Sequence, residues 1–465
     1  GGASDDAGLA LALSGSGDVF VGGVTLSNDF PTTPGAFQVS GSSVLNKYDG
    51  FIAKVSKDGK SLVWSSYFHG IDEDIVFGLT SDGSGAPIVV GHTMSSNFPT
   101  TFGSYRTNKT SPGFDIFVSK FKPGGTALAW STYLGGTSLD IAFDVAWDAS
   151  LGVVICGSTD SKDFPVTSNS FDQHFQSNSY SSVNAYCEAF LTLLKHDGSS
   201  LAWSSFLGGS DQDAIKAVKI GYNASIIVSG VTTSSDFVVT PHAHDRKFNG
   251  SPWTEDSFLA CIDPMGHKVL YSTFLGGSWN DNCISLCLTS DSEAVVCGVT
   301  NSSNFPVSPG AYQKLYAGGV SDGDGFIAKL KYRDVSIERL GVSPFCCNGP
   351  IVNYAGMVPQ SGDQNFFLSC WNSPPSSLGL LLIGAGRFTL PFSYSRAKVY
   401  VDIFRQSFFG ILVRSDASGM CSVNLPIPAG TSGLSVYSQF LWLGTTGCGG
   451  VGQVYSSDCL KLSVK

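Results

Sequence analysis

The sequence predicts an all-β fold: a five-bladed β-propeller of four-stranded blades, followed by a C-terminal β-sandwich or jelly-roll-like domain. Three observations predict it. Several phrases recur together at spacings of 66 to 73 residues. Each repeat holds four short apolar runs bounded by Gly, Asp or Ser turns. No stretch carries a convincing amphipathic-helix pattern. A lone four-stranded sheet exposes both faces, and packing copies around an axis buries them.

Each element follows in order. In the first repeat the strands are about Leu9–Leu13, Val19–Thr25, Gly50–Ser56 and Ser61–Phe68. They are rich in apolar, β-branched and aromatic residues. Ser14–Gly17 and Lys57–Lys60 read as tight hairpin turns. A Gly followed four residues later by Asp opens each repeat, giving the set Asp6, Asp74, Asp140, Asp213 and Asp281. Strand two ends in G-x-T-x-S, from Gly23, Gly91, Gly157, Gly230 and Gly298. A long loop then carries FPTTPGAFQ from Phe30, with counterparts from Phe98, Phe164, Phe237 and Phe305. Loops of that length are often functional. Strand three begins with an acid two residues before Phe: Asp49, Asp115, Glu188, Asp256 and Asp324. Strand four holds Trp64, Trp130, Trp203 and Tyr271.

These phrases resemble the seven-bladed β-propeller repeat (SBBP) family. Its hallmark run is matched by GVTLSNDFPTTPGAFQ from Gly23, DGFIAKV from Asp49 and YLGGTSLD from Tyr133. The resemblance spans about residues 1–331. It implies a secreted or cell-surface protein without established catalytic residues. The chain departs from the family in having five copies, which implies either a five-bladed ring or repeats lost upstream. The repeats run about 1–68, 69–134, 135–207, 208–275 and 276–341, so the propeller is expected over 1–341. The fifth repeat lacks an aromatic fourth strand. Val335–Leu340 fills that place in degenerate form, or a neighbouring subunit's strand does so by β-augmentation.

Residues 342–465 lack the repeat and form a Cys-rich unit with strand signals near 365–368, 378–383, 399–403, 410–413, 434–443 and 460–464. The stretches SDASGMCSVNLPIP and GLSVYSQFLWL within it resemble a small β-sandwich appended to secreted bacterial repeat proteins.

Composition narrows the function classes. The chain has 465 residues, 42% hydrophobic and only 14% charged, with a net charge of −10. Lys and Arg form no cluster, which argues against nucleic acid. The most apolar run is far shorter than the ~20 residues that span a bilayer, so no membrane insertion is expected. The start at Gly1-Gly2 suggests a processed N-terminus.

The 12 Cys include no C-x-x-C pair, and fit structural disulfides in an oxidising compartment. Cys156 with Cys187 and Cys287 with Cys297 are plausible pairs, leaving Cys261 with Cys283. Cys346, Cys347, Cys370, Cys421, Cys448 and Cys459 belong to the C-terminal unit. Four N-x-S/T sequons, at Asn108, Asn223, Asn249 and Asn301, are candidate glycosylation sites.

Candidate chemistry is weighed against simpler roles. A fivefold Asp set supplies five copies of one environment, whereas glycoside hydrolysis needs two carboxyls in different ones. The set reads as turn residues, with calcium binding as the lesser alternative and no other cofactor. The strand-three acids suggest a hydrogen bond between blades beside a core Phe. His242 and His244 fall in a degenerate loop phrase, where packing of His244 is expected. Gly319–Gly323 matches G-x-S-x-G but lacks the strand-to-helix context of a nucleophile elbow. The Trp set fits packing between blades.

The expected function is a non-catalytic extracellular structural protein, a subunit of a surface polymer, filament or appendage that self-associates through the propeller seam and C-terminal domain. The alternative is an adhesin or lectin-like module binding carbohydrate or protein.

Overall fold

The computed structural model describes residues 1–332 apart from 43, 45, 178–186, 222–223, 252–253, 291–292 and 319–322, and from 333 onward it describes the strands. The chain divides into two compact units, Gly1–Tyr332 and Arg333–Lys465.

The first unit is a propeller-like array of five antiparallel sheets. Sheet one holds β1 (Asp6–Leu13), β2 (Val19–Thr25), β3 (Asp49–Val55) and β4 (Leu62–Phe68), hydrogen-bonded in that order. Sheet two repeats this with β5 (Asp74–Ser81), β6 (Pro87–Thr93), β7 (Asp115–Phe121) and β8 (Leu128–Leu134). Sheet three holds β9 (Asp140–Asp148), β10 (Gly152–Thr159), β11 (Glu188–Leu194) and β12 (Leu201–Phe206). Sheet four holds β13 (Asp213–Ile220), β14 (Ile226–Thr232), β15 (Asp256–Ile262) and β16 (Val269–Leu275). Sheet five has three described strands, β17 (Asp281–Ser290), β18 (Glu293–Thr300) and β19 (Asp324–Lys331).

The register repeats because the sequence does. The Asp that opens the first strand faces the Thr that ends the second in all five sheets, as in Asp6 with Thr25 and Asp281 with Thr300. First strands also carry a register shift in every sheet, between Gly8 and Ala10 in β1. Apolar residues on both faces of the inner sheets are buried, so β11 and β15 are buried end to end. Such strands lie between two neighbours and read as continuous apolar runs.

The long loop has two fixed points. Its Phe packs against the Phe of strand three: Phe30 on Phe51, Phe98 on Phe117, Phe164 on Phe190, Phe237 on Phe258 and Phe305 on Phe326, with ring centres 4.4–4.6 Å apart and the rings stacked or tilted. Its Thr then bonds the outer strand. Thr33 N donates to Ser65 O at 3.1 Å, and Thr101, Thr167 and Thr240 do the same to Ser131, Ser204 and Ser272. The loop thereby covers the free edge of strand four, the edge otherwise open to stray pairing.

The Trp residues join neighbouring sheets, as their spacing suggests. The indole Nε1 of Trp64, Trp130 and Trp203 donates to Pro123 O, His196 O and Pro264 O at 3.2, 2.8 and 3.0 Å, each in the next sheet's hairpin turn. Each ring also covers a turn glycine with positive φ (Gly125, Gly198, Gly266), where an added Cβ would fall 2.3–2.5 Å from the indole. Only glycine serves there, for conformation and for space.

In the second unit, Ile337–Leu340 pairs antiparallel with Cys459–Ser463. That sheet continues through Ser435–Leu443 and Leu378–Gly384 to Phe408–Arg414. A further sheet joins Val352–Ala355, Phe367–Trp371 and Cys421–Asn424. The expected degenerate fourth strand therefore pairs elsewhere, because 337–340 finds a partner inside its own unit. The division after Tyr332 lies ahead of the boundary read from the sequence at 341.

Candidate functional site

The two recurrent acids of each repeat build the most elaborate polar arrangement of the first unit. The opening Asp follows a Gly-containing turn, so its carboxylate folds back on the turn's amides. Oδ2 accepts from the glycine four residues earlier: Gly2, Gly70, Gly136, Gly209 and Gly277, at 2.6–2.8 Å. It also accepts from the Ser of G-x-T-x-S: Ser27, Ser95, Ser161, Ser234 and Ser302, at 2.8–3.1 Å. In two sheets the Thr of that phrase bonds Oδ1, whereas Oδ1 of Asp74, Asp213 and Asp281 is buried without a hydrogen bond. Thr159 donates to Asp140 at 2.5 Å, and Thr25 donates to Asp6. The five aspartates are thus the centres of five similar cages that pin strand one to the end of strand two.

Burial separates their acidities. Desolvation disfavours the charged form and pushes Asp74, Asp140 and Asp213 up to about 7, against the hydrogen bonds that hold them down. Burial raises Asp281 in the same sense. At Asp6, less deeply buried, the hydrogen bonds from Thr25, Gly2 and Ser27 outweigh burial and leave the carboxyl below its ordinary value.

The strand-three acids have a different task from the one their sequence suggests. They anchor the long loop. Asp49 accepts from Ser42 N at 2.6 Å, Asp115 from Thr110 N at 2.8 Å, and Glu188 from the amides of Gln176 and Ser177 at 2.7 and 2.9 Å. Asp256 accepts from Asn249 N at 2.8 Å and Asp324 from Ala317 N at 2.6 Å. In place of the expected bond between sheets, the described bonds of these acids run to amides of their own long loop.

Strand-three acids also approach the caged Asp of the next sheet. A Cβ on Gly208 would lie 2.0 Å from Glu188 Oε1 and 2.7 Å from Asp213 Oδ2, so both carboxyls crowd one glycine. Asp256 and Asp281 crowd Gly276 in the same way, at 2.4 and 3.0 Å. Burial first, and then the Asp213 charge, push Glu188 up to about 8. Burial pushes Asp256 up to about 7, with Asp281 adding to it.

Two junctions carry a nitrogen-bearing side chain beside the acids. The Lys109 side chain donates to Ser111 O at 2.5 Å and to Gly113 O; burial pushes its ammonium below the ordinary lysine value, against the charges of Asp115 and Asp140. His69 replaces the crowded glycine at the first junction, with Nδ1 3.9 Å from Asp49 Oδ1. No three His, Cys, Asp or Glu side chains converge as a metal set among the described residues. Single carboxylate pairs fall short of the 6–8 oxygens calcium takes. Sequence reasoning missed these pairs because their members lie in different repeats. The aligned acids and the L-G-G phrase were the available signal.

The remaining candidates fall as follows. Asn108 is exposed in a loop. The Asn249 amide nitrogen is held by Asp245 Oδ2 at 2.6 Å, which opposes modification. Asn301 is half-buried, and Asn223 lies outside the described residues. Cys156, Cys283, Cys287 and Cys297 are free thiols, so none of the three expected propeller disulfides forms. Register explains two of them. Cys156 faces Leu191 rather than Cys187, and Cys287 and Cys297 face Val295 and Ser285. Cys261 and Cys283 share an apolar cluster without a disulfide between them. Cys421 is buried opposite Cys370 in the strand register. The side chains of Cys346, Cys347, Cys370, Cys448 and Cys459 lie outside the described residues, as do positions 319–322 of the G-x-S-x-G match. His242 and His244 are exposed, and the His244 amide donates to Tyr271 Oη at 3.3 Å. A polar cavity of about 370 Å³ is lined by Ser4, Asp5, Asn28, Lys47 and Asp49, among others.

No family model matches the chain, and no curated protein matches it. Among solved structures it is similar to a protein of unknown function from Dyadobacter fermentans, at 11% identity and TM-score 0.29, covering 98% of this chain and 95% of that one. It is also similar to a glycoside hydrolase family 43 arabinoxylan arabinofuranohydrolase from Bacillus subtilis, solved with cellotetraose, at 13% identity and TM-score 0.26, covering 98% and 96%. A third similar structure is a tetra-tandem repeat from the extending region of a large adhesion protein, at 12% identity and TM-score 0.17, covering 98% and 100%.

Proposed function

We propose that this chain is a non-catalytic extracellular structural protein, a five-bladed SBBP-type propeller that assembles with copies of itself into a surface polymer or appendage. One observation carries the reading. Leu11 of the first sheet is 71% exposed, whereas its counterparts Leu79, Val145, Val218 and Leu286 are at most 6% exposed. Covering a leucine side chain that water reaches gains about 1.5–3 kcal/mol.

The carboxyls support the non-catalytic part. Glu188 and Asp213 are wholly buried, each held in a hydrogen-bonded scaffold that recurs in the other sheets. A glycosidase needs an unlike pair open to substrate. Electron microscopy of native material tests the reading: filaments or ordered assemblies are expected, and single particles at high concentration contradict it.

The polar cavity beside Lys47 and Asp49 favours the second reading, an adhesin or lectin-like module that takes a small polar ligand. Glycan-array binding by chains that do not self-associate would favour it over assembly.

A further inference from the structure

The four junctions between sheets one to five each set a strand-three acid near the caged Asp of the next sheet, and they differ in the charge around that acid. At the first junction His69 Nδ1 lies 3.9 Å from Asp49 Oδ1, and positive charge on the imidazole favours the ionised acid. At the second, Lys109 does the same for Asp115, and the charges of Asp115 and Asp140 both draw its ammonium. The third and fourth junctions are unlike these. Among the described residues, the charges acting on their acids are negative: Asp213 and Asp172 on Glu188, and Asp281 and Asp245 on Asp256. The position of His69 is glycine in both, Gly208 and Gly276.

Each of these two acids also leaves one oxygen unsatisfied. Oε2 of Glu188 accepts from the amides of Gln176 and Ser177, and Oδ2 of Asp256 accepts from Asn249 N. Oε1 of Glu188 and Oδ1 of Asp256 are buried without a hydrogen bond, in residues that are 0% exposed. A buried polar atom left so is costly unless something pairs with it. Both orphan oxygens turn the same way. A Cβ on Gly208 would lie 2.0 Å from Glu188 Oε1 and 2.7 Å from Asp213 Oδ2. A Cβ on Gly276 would lie 2.4 Å from Asp256 Oδ1 and 3.0 Å from Asp281 Oδ2. Beside each glycine, then, the orphan oxygen stands near a second carboxylate oxygen, within reach of one small bridging ion.

We propose that a small monovalent metal cation, of the size class of sodium, bridges Glu188 to Asp213 at the third junction and Asp256 to Asp281 at the fourth. It does there what the Lys109 side chain does between Asp115 and Asp140. The single charge follows from that stand-in. A divalent ion such as calcium would find too few oxygens in a carboxyl pair. The chain thus brings its own nitrogen group to two junctions and recruits an ion at the other two. The sites lie within the first unit of one chain and do not rest on the assembly reading.

The test compares two salts. The whole chain is melted at pH 8.5, where few protons compete, in sodium chloride and in tetramethylammonium chloride at equal ionic strength. Tetramethylammonium screens surface charge as sodium does but is too large for a buried carboxyl pair. Sodium is expected to raise the melting temperature by at least about 2 °C over tetramethylammonium, with a gain that saturates as its concentration rises. The double variant Glu188→Gln, Asp256→Asn is expected to melt alike in the two salts. Equal melting of the parent in both salts overturns the proposal, and so does a sodium gain that the double variant keeps in full. Crystals of the parent soaked in thallium(I) or rubidium give a measure free of any variant. Anomalous scattering peaks beside Gly208 and Gly276 are expected, and their absence overturns the proposal.

Discussion

Trp130 of one sheet and His196 of the next are joined by a 2.8 Å hydrogen bond from the indole Nε1 to the backbone carbonyl. The same ring lies over Gly198, whose φ is +69° and whose missing side chain makes room for it. This contact recurs at three junctions, so each sheet is held partly by its neighbour. Gly198→Ala is expected to cost about 2–4 kcal/mol, from left-handed backbone strain and overpacking together. Trp130→Phe should cost less than Trp130→Ala, for which about 3–5 kcal/mol is expected. Denaturant unfolding of the three variants measures the order.

Asp140 gathers the amide of Gly136 and the hydroxyls of Thr159 and Ser161 in a buried cage. Asp140→Ala strands those donors, and a loss of about 2–4 kcal/mol is expected. Asp140→Asn keeps one acceptor oxygen and should lose less. Thermal unfolding of both variants decides whether the carboxylate works as a cage centre.

The buried carboxyls make stability fall with rising pH. Glu188 is pushed up to about 8 and Asp213 to about 7, whereas unfolded Glu and Asp titrate near 4. Between those values the folded chain binds more protons than the unfolded chain. Their contribution is therefore complete below about pH 4 and lost as pH rises through 7 to 8. Glu188→Gln stays neutral throughout, so its melting temperature should fall less from pH 5.5 to 8.5 than that of the parent. An unchanged difference would place the titration elsewhere.

Thiol reactivity should divide sharply. Burial pushes the Cys156 thiol pKa well above its ordinary value and raises that of Cys283 to about 11, while Cys287 is exposed. Iodoacetamide at neutral pH should label Cys287 in the folded chain and reach Cys156 and Cys283 only after unfolding. Mass spectrometry of the labelled peptides reads this directly.

Much of the first unit was legible because its signals are local. The strand bounds Val19–Thr25 match the structure, and the phrase beginning at Phe30 marks a loop packed on Phe51. The thiols show where local reading stops. Cys287 and Cys297 sit on neighbouring strands, yet the register staggers them. Glu188 and Asp213 meet only after two sheets pack, so neither repeat alone announces the pair. The partner of 337–340 stayed open in the sequence because nothing within those four residues distinguishes a partner in the propeller from one at Cys459–Ser463.

Self-association of the whole chain is the central claim, and sedimentation velocity across a range of concentrations tests it most directly. The weight-average mass is expected to climb above that of a single chain as concentration rises, and Leu11→Asp should hold it at one chain. A parent protein that sediments as a single chain at every concentration would contradict the account.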